Sequence, residues 1–188
     1  MTKTSASRDK VIFIDRDGVI NWDPIGDYIK HWKHFKFLPG VIGALKKLSD
    51  KNFKIVIISN QAGIGDKVYP ESSLQEITSN MLEHFEKNGV NVDSVYYCLH
   101  GKKHGCDCRK PKTKMFKIAS QKLSYSKEKT FYIGDKHSDV EAGKRFGLKT
   151  IMVLTGHGVH DLPKLKKPYY PNYIVPSIKE AAAVAIKQ

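Results

Sequence analysis

Runs of consecutive apolar residues alternate along the chain with stretches in which apolar residues are spaced as in helices. The consecutive runs are short and predict strands buried on both faces. These runs span residues 11–14, 54–58, 130–133 and 150–154, and the segment 92–97, which also contains Asp93 and Ser94, is predicted as a further strand. Between them, apolar residues recur every three or four positions, as in Leu74, Ile77, Met81 and Phe85, which predicts amphipathic helices. This alternation predicts an α/β fold with one doubly wound, Rossmann-like parallel sheet.

Prolines and glycines set the expected bounds of the helices. Pro39 and Gly40 open the first helix, Pro70 and Ser72 begin a longer one that ends at Gly89, and a later short helix stops at Gly147. Further helices are predicted over 113–123 and 177–187, whereas 21–37 has no clear period. The proline- and tyrosine-rich stretch 163–176 is expected to wrap the surface. We therefore expect one domain over 1–188, with a flexible start at 1–10 and a C-terminal wrap and helix at 159–188.

Composition and charge indicate which kinds of ligand and partner the chain can bind. The chain has 188 residues, of which 40% are hydrophobic and 27% charged, as is ordinary for a globular protein. No apolar run approaches the roughly 20 residues of a membrane span, and the polar start lacks the apolar core of a signal peptide, so we expect a cytoplasmic location. The net charge of +13 favours phosphorylated ligands, but the lysines are spread over the chain. We expect a monomer with a small-molecule substrate, and no membrane or nucleic-acid partner.

Polar residues follow three of the predicted strands at the point where each strand ends. Asp15 and Asp17 follow the first strand, Ser59 and Asn60 follow the second, and Asp135 follows the fourth. The carboxyl ends of parallel strands lie at one edge of the sheet, which is where α/β folds bind ligands. Two aspartates two positions apart also face the same way and repel each other unless a cation or a proton intervenes. The pattern predicts a ligand-binding site at this edge, where a bound cation or a protonated carboxyl would relieve the repulsion.

Four motifs in this order resemble those of the haloacid-dehalogenase-like phosphatase superfamily. They are Asp15-Arg16-Asp17-Gly18, Ser59-Asn60-Gln61, Arg109-Lys110-Pro111 and Gly134-Asp135-Lys136-His137-Ser138-Asp139. The resemblance covers about residues 11–158. It implies a phosphoric monoester hydrolase in which Asp15 is the nucleophile that forms an aspartyl-phosphate. Asp17 would protonate the leaving alkoxide and then deprotonate the attacking water.

The same resemblance implies roles for the other motif residues. Ser59 and Lys110 would hold the phosphoryl oxygens, completing the catalytic set with Asp15 and Asp17. Mg²⁺ would be held by Asp15, the backbone carbonyl of Asp17, and Asp135. We expect Asp139 to orient Lys110 or the water shell of the metal rather than to bind metal directly. The spacing of the motifs leaves no room for an inserted cap domain, so the predicted site is open.

Three cysteines lie within eleven residues and predict a metal-binding loop over 98–108. Three thiolates and one imidazole, from Cys98, His100, Cys106 and Cys108, suit a closed tetrahedral zinc site of structural type. The Cys-x-His and Cys-x-Cys spacings are tighter than in zinc fingers, His104 is an alternative fourth ligand, and three reduced thiols are the alternative to a metal. The odd number of cysteines argues against a disulfide framework.

A zinc loop directly before Arg-Lys-Pro resembles two phosphatase groups, which act on D-glycero-D-manno-heptose 1,7-bisphosphate and on histidinol phosphate. The free-standing length, the segment 154–158 and the short helical tail favour the heptose bisphosphate and loss of its 7-phosphate. The five-residue linker between His100 and Cys106 resembles the histidinol group instead. The residues expected to contact the substrate are Asp23, Tyr28, Asn60, Arg109 and Lys136.

Two further functions stay open at this point. An open site also admits polymers, so a nucleic-acid 3′-phosphatase is a second enzymatic hypothesis, favoured by the basic charge. The non-enzymatic hypothesis is a zinc-stabilised basic module that binds nucleic acid, in which the aspartates serve only as structure. The scattered lysines count against both hypotheses.

Overall fold

A computed structural model describes residues 10–188, and their fold is built on a six-stranded parallel sheet with the strand order β3-β2-β1-β4-β5-β6. The strands are β1 (Lys10–Ile14), β2 (Phe53–Asn60), β3 (Val92–Cys98), β4 (Phe131–Gly134), β5 (Lys149–Val153) and β6 (Tyr173–Val175). The doubly wound parallel sheet predicted from the sequence is thus confirmed. The expected flexible start at 1–10 lies, except for its last residue, outside the described residues.

Seven α-helices occur among these residues. They are α1 (Val41–Asp50), α2 (Ala62–Gly65), α3 (Glu71–Lys87), α4 (Lys114–Ser120), α5 (His137–Phe146), α6 (Gly158–Asp161) and α7 (Ile178–Lys187). Short 3₁₀ turns occupy Trp32–His34, Lys127–Lys129 and Leu162–Lys164. The two four-residue helices α2 and α6 were not predicted, because a single helical turn is too short to show a hydrophobic period. No helix of the described part of the chain is both long and apolar enough to cross a membrane.

The apolar residues of the sheet pack against helices on both faces. Side chains from α1, α3 and α7 cover one face, where they pack in one cluster with Ile12 and Ile14 of β1. The other face packs on α4 and α5 and includes Val11 and Phe13 of β1. This alternation follows from the two-residue period of a strand, and it explains why β1 reads as an unbroken apolar run. Each fully buried side chain of this size contributes about 1.5–3 kcal/mol to folding.

The prediction for the C-terminal wrap was incomplete, because the stretch 163–176 contains the sixth strand. Tyr173, Ile174 and Val175 pair in parallel with Ile151, Met152 and Val153 of β5. An edge strand of three residues between prolines has too few residues to show an apolar run, and the exposed Ile174 breaks the pattern. Tertiary pairing with β5 therefore decides this element.

The connections between strands leave the carboxyl edge of the sheet uncovered by any second domain. The chain from β1 to β2 forms an irregular segment and α1, and the chain from β2 to β3 forms only α2 and α3. The expected absence of an inserted cap therefore holds for residues 10–188. The irregular segment is anchored by bridges from Asn21 to Asp17 and Phe37.

Candidate active site

The turn after β1 brings Asp15 next to Asp135 at the end of β4. Gly18 has φ of +85°, and a Cβ at this position would overlap the Asp135 carboxylate. Gly156 has φ of +56°, and a Cβ at this position would also overlap the Asp135 carboxylate. Only glycine combines this backbone conformation with so close an approach. The two glycines therefore define the space in which the carboxylate of Asp135 sits.

Lys110 lies at the centre of a buried charge cluster below this edge. Its Nζ is 2.9 Å from Asp15 Oδ1 and 2.7 Å from Asp139 Oδ1, and it donates to the Tyr132 hydroxyl at 2.8 Å and the Ile58 carbonyl oxygen at 3.1 Å. Burial alone would lower the pKa of this lysine, but the two carboxylates outweigh it and raise the pKa. The ammonium therefore stays charged, and the expected contact of Asp139 with Lys110 is present.

Asp135 has one satisfied and one unsatisfied carboxylate oxygen. Oδ2 accepts a hydrogen bond from the His157 backbone N–H at 2.7 Å. Oδ1 is buried and has no hydrogen-bond partner among residues 10–188. Burial raises the pKa of this carboxyl well above its usual range. A buried carboxylate oxygen without a donor is a costly arrangement, and a bound cation would remove the cost.

Three carboxylates together form a possible cation site. Ligand oxygens of Asp15, Asp135 and Asp139 all lie within 4.8 Å of one another, and the three residues are buried. Burial raises the pKa of Asp15 to about 6, with further increases from Asp139 and Asp17 and an opposing effect of Lys110. Oxygen ligands of this kind suit a hard divalent cation such as Mg²⁺. The donor set therefore fits the metal that the sequence predicts at this edge.

The Asp17 carboxylate faces a different set of partners. Arg16 contacts both of its oxygens, with Nη2 at 2.8 Å from Oδ1 and 2.9 Å from Oδ2, and Asn21 Nδ2 donates to Oδ1 at 3.0 Å. Gln61 Nε2 donates to Oδ2 at 2.7 Å. Although burial raises the pKa of Asp17, the Arg16 guanidinium and the Asn21 amide outweigh it and hold the pKa below its usual range. The side chain is thus kept out of the three-carboxylate group.

A cleft of about 360 Å³ opens onto these residues. It is lined by every residue expected to contact substrate, namely Asp23, Tyr28, Asn60, Arg109 and Lys136, and by Asp15, Asp17, Ser59 and Lys110. The Nη1 atom of Arg109 is buried without a hydrogen-bond partner in the described part of the chain. A charged donor in this state is suited to bind an anionic group of a ligand in the cleft.

Three of the expected substrate residues, Asp23, Asn60 and Lys136, also connect the segments that line the cleft. Asp23 Oδ2 is 2.9 Å from Lys136 Nζ and 3.1 Å from His157 Nε2, so it fastens the irregular segment after β1 to the turns after β4 and β5. The Asn60 amide exchanges two hydrogen bonds with the Lys110 backbone, at 3.0 and 3.3 Å. The hydrogen bonds of Asn60 hold both the backbone N–H and the carbonyl oxygen of Lys110 in place.

The loop after β3 brings its three cysteines and His100 together. The Cys98, Cys106 and Cys108 sulfurs are 3.1–3.6 Å apart, and His100 Nδ1 is 3.2 Å from Cys108 Sγ. All four ligand atoms lie within 4.8 Å of one another. His104 packs its ring against His100, with ring centroids 4.5 Å apart, and is not one of the four. The group is compatible with a tetrahedral metal site of the Cys₃His type.

Comparison with known proteins places the chain in a family. The family model described as "HAD-hyrolase-like" matches residues 107–181. The D-glycero-beta-D-manno-heptose-1,7-bisphosphate 7-phosphatase of Pseudomonas putida is 34% identical over 155 residues, covering 82% of this chain and 88% of the relative. The protein of the same name from Haemophilus ducreyi is 36% identical over 158 residues, covering 80% of this chain and 86% of the relative.

The fold comparison agrees with the sequence relatives. A crystal structure of D,D-heptose 1,7-bisphosphate phosphatase from B. bronchiseptica, complexed with magnesium and phosphate, superposes with a TM-score of 0.89. The two chains are 26% identical, and the match covers 95% of this chain and 98% of the other. The chain belongs to the haloacid-dehalogenase-like phosphatases. As a member of this family it is a phosphoric monoester hydrolase.

Several residues of this phosphatase contact the site but had no predicted role, among them Gln61, Tyr132 and His157. Gln61 and Tyr132 are buried and hydrogen bond to Asp17 and Lys110 respectively. His157 donates its backbone N–H to Asp135. Gln61 and His157 lie in sequence segments that were recognised as motifs, whereas Tyr132 reads as an ordinary buried strand residue. Only the packing of the strands reveals which of them reach the charged groups.

Proposed function

We propose that the phosphatase removes the 7-phosphate of D-glycero-D-manno-heptose 1,7-bisphosphate. The observation that carries the proposal is Arg109, which lines the same cleft as Asp15 and whose Nη1 is buried without a hydrogen-bond partner among residues 10–188. A substrate with two phosphates has one anionic group for the reacting end of the cleft and a second for this guanidinium. The names of the two curated relatives and of the crystal structure support the same substrate.

In the proposed reaction, Asp15 is the nucleophile. Lys110 and the Arg16 backbone N–H both contact Asp15 Oδ1, at 2.9 and 2.8 Å, so we assign the attack on phosphorus to Oδ2. As the new bond forms, the bond from phosphorus to the C7 oxygen breaks, and the alkoxide takes a proton from Asp17. Water then attacks phosphorus of the aspartyl-phosphate and gives a proton to Asp17, and the bond from phosphorus to Asp15 Oδ2 breaks, which releases phosphate and the free carboxylate. Ser59 and Lys110 hold phosphoryl oxygens throughout.

Asp17 is ionised in the free enzyme, because Arg16 lowers its pKa, yet it acts first as an acid. An entering phosphate dianion raises the pKa of a neighbouring carboxyl by like-charge repulsion. A phosphate monoester with its second pKa near 6 can also bring the proton with it. After the leaving group departs, the Arg16 contact again favours the carboxylate, which is the state that a base requires.

We further propose Mg²⁺ as the cation of the carboxylate site. Asp15, Asp135 and the Asp17 backbone carbonyl would hold it. The observations that support the two carboxylates are their proximity and the Asp135 Oδ1 atom, which has no hydrogen-bond partner among residues 10–188. When bound, Mg²⁺ offsets the repulsion between the phosphate and the carboxylates and polarises a phosphoryl oxygen. Asp139 is fully engaged by Lys110, Tyr132 and the Lys136 N–H, so we assign it to orienting Lys110.

Binding of Mg²⁺ is expected to weaken as the pH falls below 6. In the metal-free protein the pKa of Asp15 is about 6, so the carboxyl is ionised at pH 7 and protonated at pH 5, and protons compete with the cation. For one such proton the apparent Kd rises about tenfold between pH 7 and pH 5. Calorimetric titration of metal-free protein with Mg²⁺ at pH 7 and pH 5 measures this apparent Kd. An apparent Kd that is the same at both pH values would contradict the assignment of Asp15 as a ligand.

We propose that Zn²⁺ occupies the Cys98–His100–Cys106–Cys108 group with a structural role. The loop packs directly on α2, since a Cβ on Gly65 would overlap the backbone of Gly101. The same loop leads into Arg109 and Lys110, so a metal that shapes it also fixes how these two cations enter the cleft. Four protein ligands leave no open position for chemistry at the metal.

Replacing Cys106 with serine is expected to lower the zinc content from about one per chain and to raise KM. The Tm should fall by about 5–10 °C, because structural zinc contributes several kcal/mol to folding. Elemental analysis, thermal unfolding and kinetics on the purified variant measure the three effects. Asp107→Ser is the matched control, since Asp107 lies between two of the cysteines with its side chain 79% exposed. Wild-type metal content and Tm in Cys106→Ser would remove the structural metal.

The substrate proposal is tested by comparing esters side by side. We expect kcat/KM for the heptose 1,7-bisphosphate, assayed as both anomers, to exceed that for histidinol phosphate by at least about 100-fold, as an extra charge-assisted contact with Arg109 allows. Histidinol phosphate is the second candidate because the linker between His100 and Cys106 has five residues. Preference for histidinol phosphate, or for a 3′-phosphorylated oligonucleotide, would replace the heptose substrate.

A further inference from the structure

Gln61 is a buried amide to which the reaction described above gives no part. It is 1% exposed and directly follows β2, next to Asn60. Its backbone N–H donates to the Cys98 carbonyl oxygen at 2.8 Å, which continues the pairing of β2 with β3 to the first residue of the metal loop. The backbone of Gln61 is therefore held in place by the sheet, and its side chain extends from a fixed point.

The Gln61 amide uses all four of its hydrogen-bonding positions. Nε2 donates to Asp17 Oδ2 at 2.7 Å and to Ser59 Oγ at 3.0 Å. Oε1 accepts from Tyr69 Oη at 2.7 Å and from Arg16 Nη2 at 3.1 Å. In the opposite orientation, the amide oxygen would face the Asp17 carboxylate and the amide nitrogen would face the Arg16 guanidinium, which opposes like groups. One orientation is therefore strongly favoured.

Tyr69 supports this orientation from the Oε1 side of the amide. It is 6% exposed, and burial raises the pKa of its hydroxyl above the usual range, so the hydroxyl keeps the proton that it donates to Gln61. Its ring lies close to Gly63, where a Cβ would overlap it. The hydroxyl is therefore a rigid donor, and it leaves the Nε2 side of the amide free for Asp17 and Ser59.

Gln61 connects Asp17, the proposed proton donor, with Ser59, which is proposed to hold the phosphoryl group. Arg16 and Asn21 bind the Asp17 carboxylate from its own turn, and neither of them contacts Ser59 through a hydrogen bond in residues 10–188. Gln61 alone in this part of the chain hydrogen bonds to both Asp17 and Ser59. Ser59 is at the end where the phosphoryl group is held, and Asp17 must reach the oxygen that leaves from it. The Gln61 amide therefore sets the position of the Asp17 carboxylate relative to the Ser59 hydroxyl.

We infer that Gln61 is a positioning residue, which with Tyr69 holds the Asp17 carboxylate where it can pass a proton to the leaving-group oxygen. The inference rests on the proposed role of Asp17 as proton donor. A proton donor must lie within hydrogen-bond reach of its acceptor, and a misplacement of about 1 Å can cost 100-fold in rate. Loss of Gln61 should therefore affect proton donation more than phosphate binding.

Comparing leaving groups separates proton donation from the rest of the reaction. A sugar alkoxide requires a proton as it departs, whereas p-nitrophenolate is a far weaker base and departs without one. The constant kcat/KM includes only the steps up to departure of the leaving group, so it excludes the later activation of water. The ratio of kcat/KM for an alkyl phosphate to that for p-nitrophenyl phosphate therefore reports proton donation alone.

We expect Gln61→Met to lower kcat/KM for the heptose bisphosphate about 100-fold, and that for p-nitrophenyl phosphate less than about fivefold. Tyr69→Phe, which removes a single hydroxyl, should lower the ratio of the two constants by roughly fivefold. Gln75→Met is the control, since Gln75 is exposed on α3, and it should leave both constants unchanged. In an Asp17→Asn background, Gln61→Met should not change the ratio further.

Three outcomes would overturn the inference. One is an equal fall in kcat/KM for the heptose bisphosphate and for p-nitrophenyl phosphate in Gln61→Met. This result would assign the amide to phosphate binding or to folding. Another is an unchanged ratio in Tyr69→Phe, which decides the matter even if Gln61→Met does not fold. A third is a further fall in the ratio when Gln61→Met is added to Asp17→Asn.

The same assays distinguish this inference from the proposed substrate. If the wild-type enzyme hydrolyses another primary alkyl phosphate but not the heptose bisphosphate, the substrate proposal fails. The ratio measured with that alkyl phosphate then still decides the role of Gln61. If the wild-type enzyme hydrolyses the heptose bisphosphate and the ratio is unaffected by the variants, the inference fails alone.

Discussion

Replacing Asp15 with asparagine is expected to lower kcat by roughly 10⁴-fold or more with all phosphate esters. An amide oxygen is a poor nucleophile toward phosphorus, and the variant also lacks one charge of the proposed cation site. The fold should persist, because asparagine fits the same volume and still offers an oxygen to Lys110 and the Arg16 N–H. Steady-state kinetics on the purified variant, with far-ultraviolet circular dichroism as a check on folding, measure both effects.

A labelling experiment separates a nucleophile from a metal ligand. Acid quenching with a ³²P-labelled substrate should trap an aspartyl-phosphate in the wild-type enzyme and none in Asp15→Asn. Asp17→Asn should retain labelling with p-nitrophenyl phosphate, because its leaving group needs no proton, and should release the label slowly. Asp50→Asn, on the exposed face of α1, is the control for loss of a carboxylate. Substantial turnover or label in Asp15→Asn would remove Asp15 as nucleophile.

Replacing Lys110 with methionine is expected to destabilise the fold by about 3–5 kcal/mol and to reduce activity at least 100-fold. The ammonium is the shared partner of Asp15 and Asp139, and its removal leaves two buried carboxylates without their cation. Lys110 lowers the pKa of Asp15, so without Lys110 this pKa rises further in the folded state. The stability loss relative to wild type should therefore be larger at pH 8 than at pH 5, where the Asp15 carboxyl takes up a proton.

Denaturant unfolding of Lys110→Met at these two pH values, with and without Mg²⁺, measures the effect. Added Mg²⁺ should recover part of the lost stability, since a cation at the neighbouring carboxylates replaces some of the missing positive charge. Lys114→Met, on the exposed side of α4, is the control and should change stability by less than about 0.5 kcal/mol. Equal stability of Lys110→Met and the wild type at pH 8 would show that the cluster does not depend on Lys110.

The residues at the strand ends were predictable because their signal is local. Asp15, Ser59 and Asp135 each end an apolar run, and parallel strands bring such residues to one edge whatever the details of packing. The grouping of Cys98, His100, Cys106 and Cys108 was predictable for a similar reason, since three sulfurs and an imidazole lie within eleven residues of one loop. That His100 rather than His104 lies with the three sulfurs, in contrast, depended on how the loop closes.

The partners of the charged groups were not predictable in this way. Tyr132 reads as a buried strand residue, and only the register of β1 with β4 brings its hydroxyl to Lys110 and Asp139. Gln61 follows a strand like its neighbours, and its four contacts come from four separate side chains. Hydrogen bonds of this kind require positions accurate to a few tenths of an ångström, which a residue pattern does not contain.

The sequence by itself determined the alternation of strands and helices, the edge of the sheet that carries the site, and the residue types needed for phosphoryl transfer. These follow from the periods of strand and helix and from the order of motifs, which depend on neighbouring residues. Tertiary structure alone decided that β6 joins the sheet and that Asp17 is bound by Arg16 and Gln61. It also decided that Asp135 keeps one oxygen without a hydrogen-bond partner among residues 10–188. Each of these depends on groups distant in sequence, whose contacts are set by how the packed elements meet.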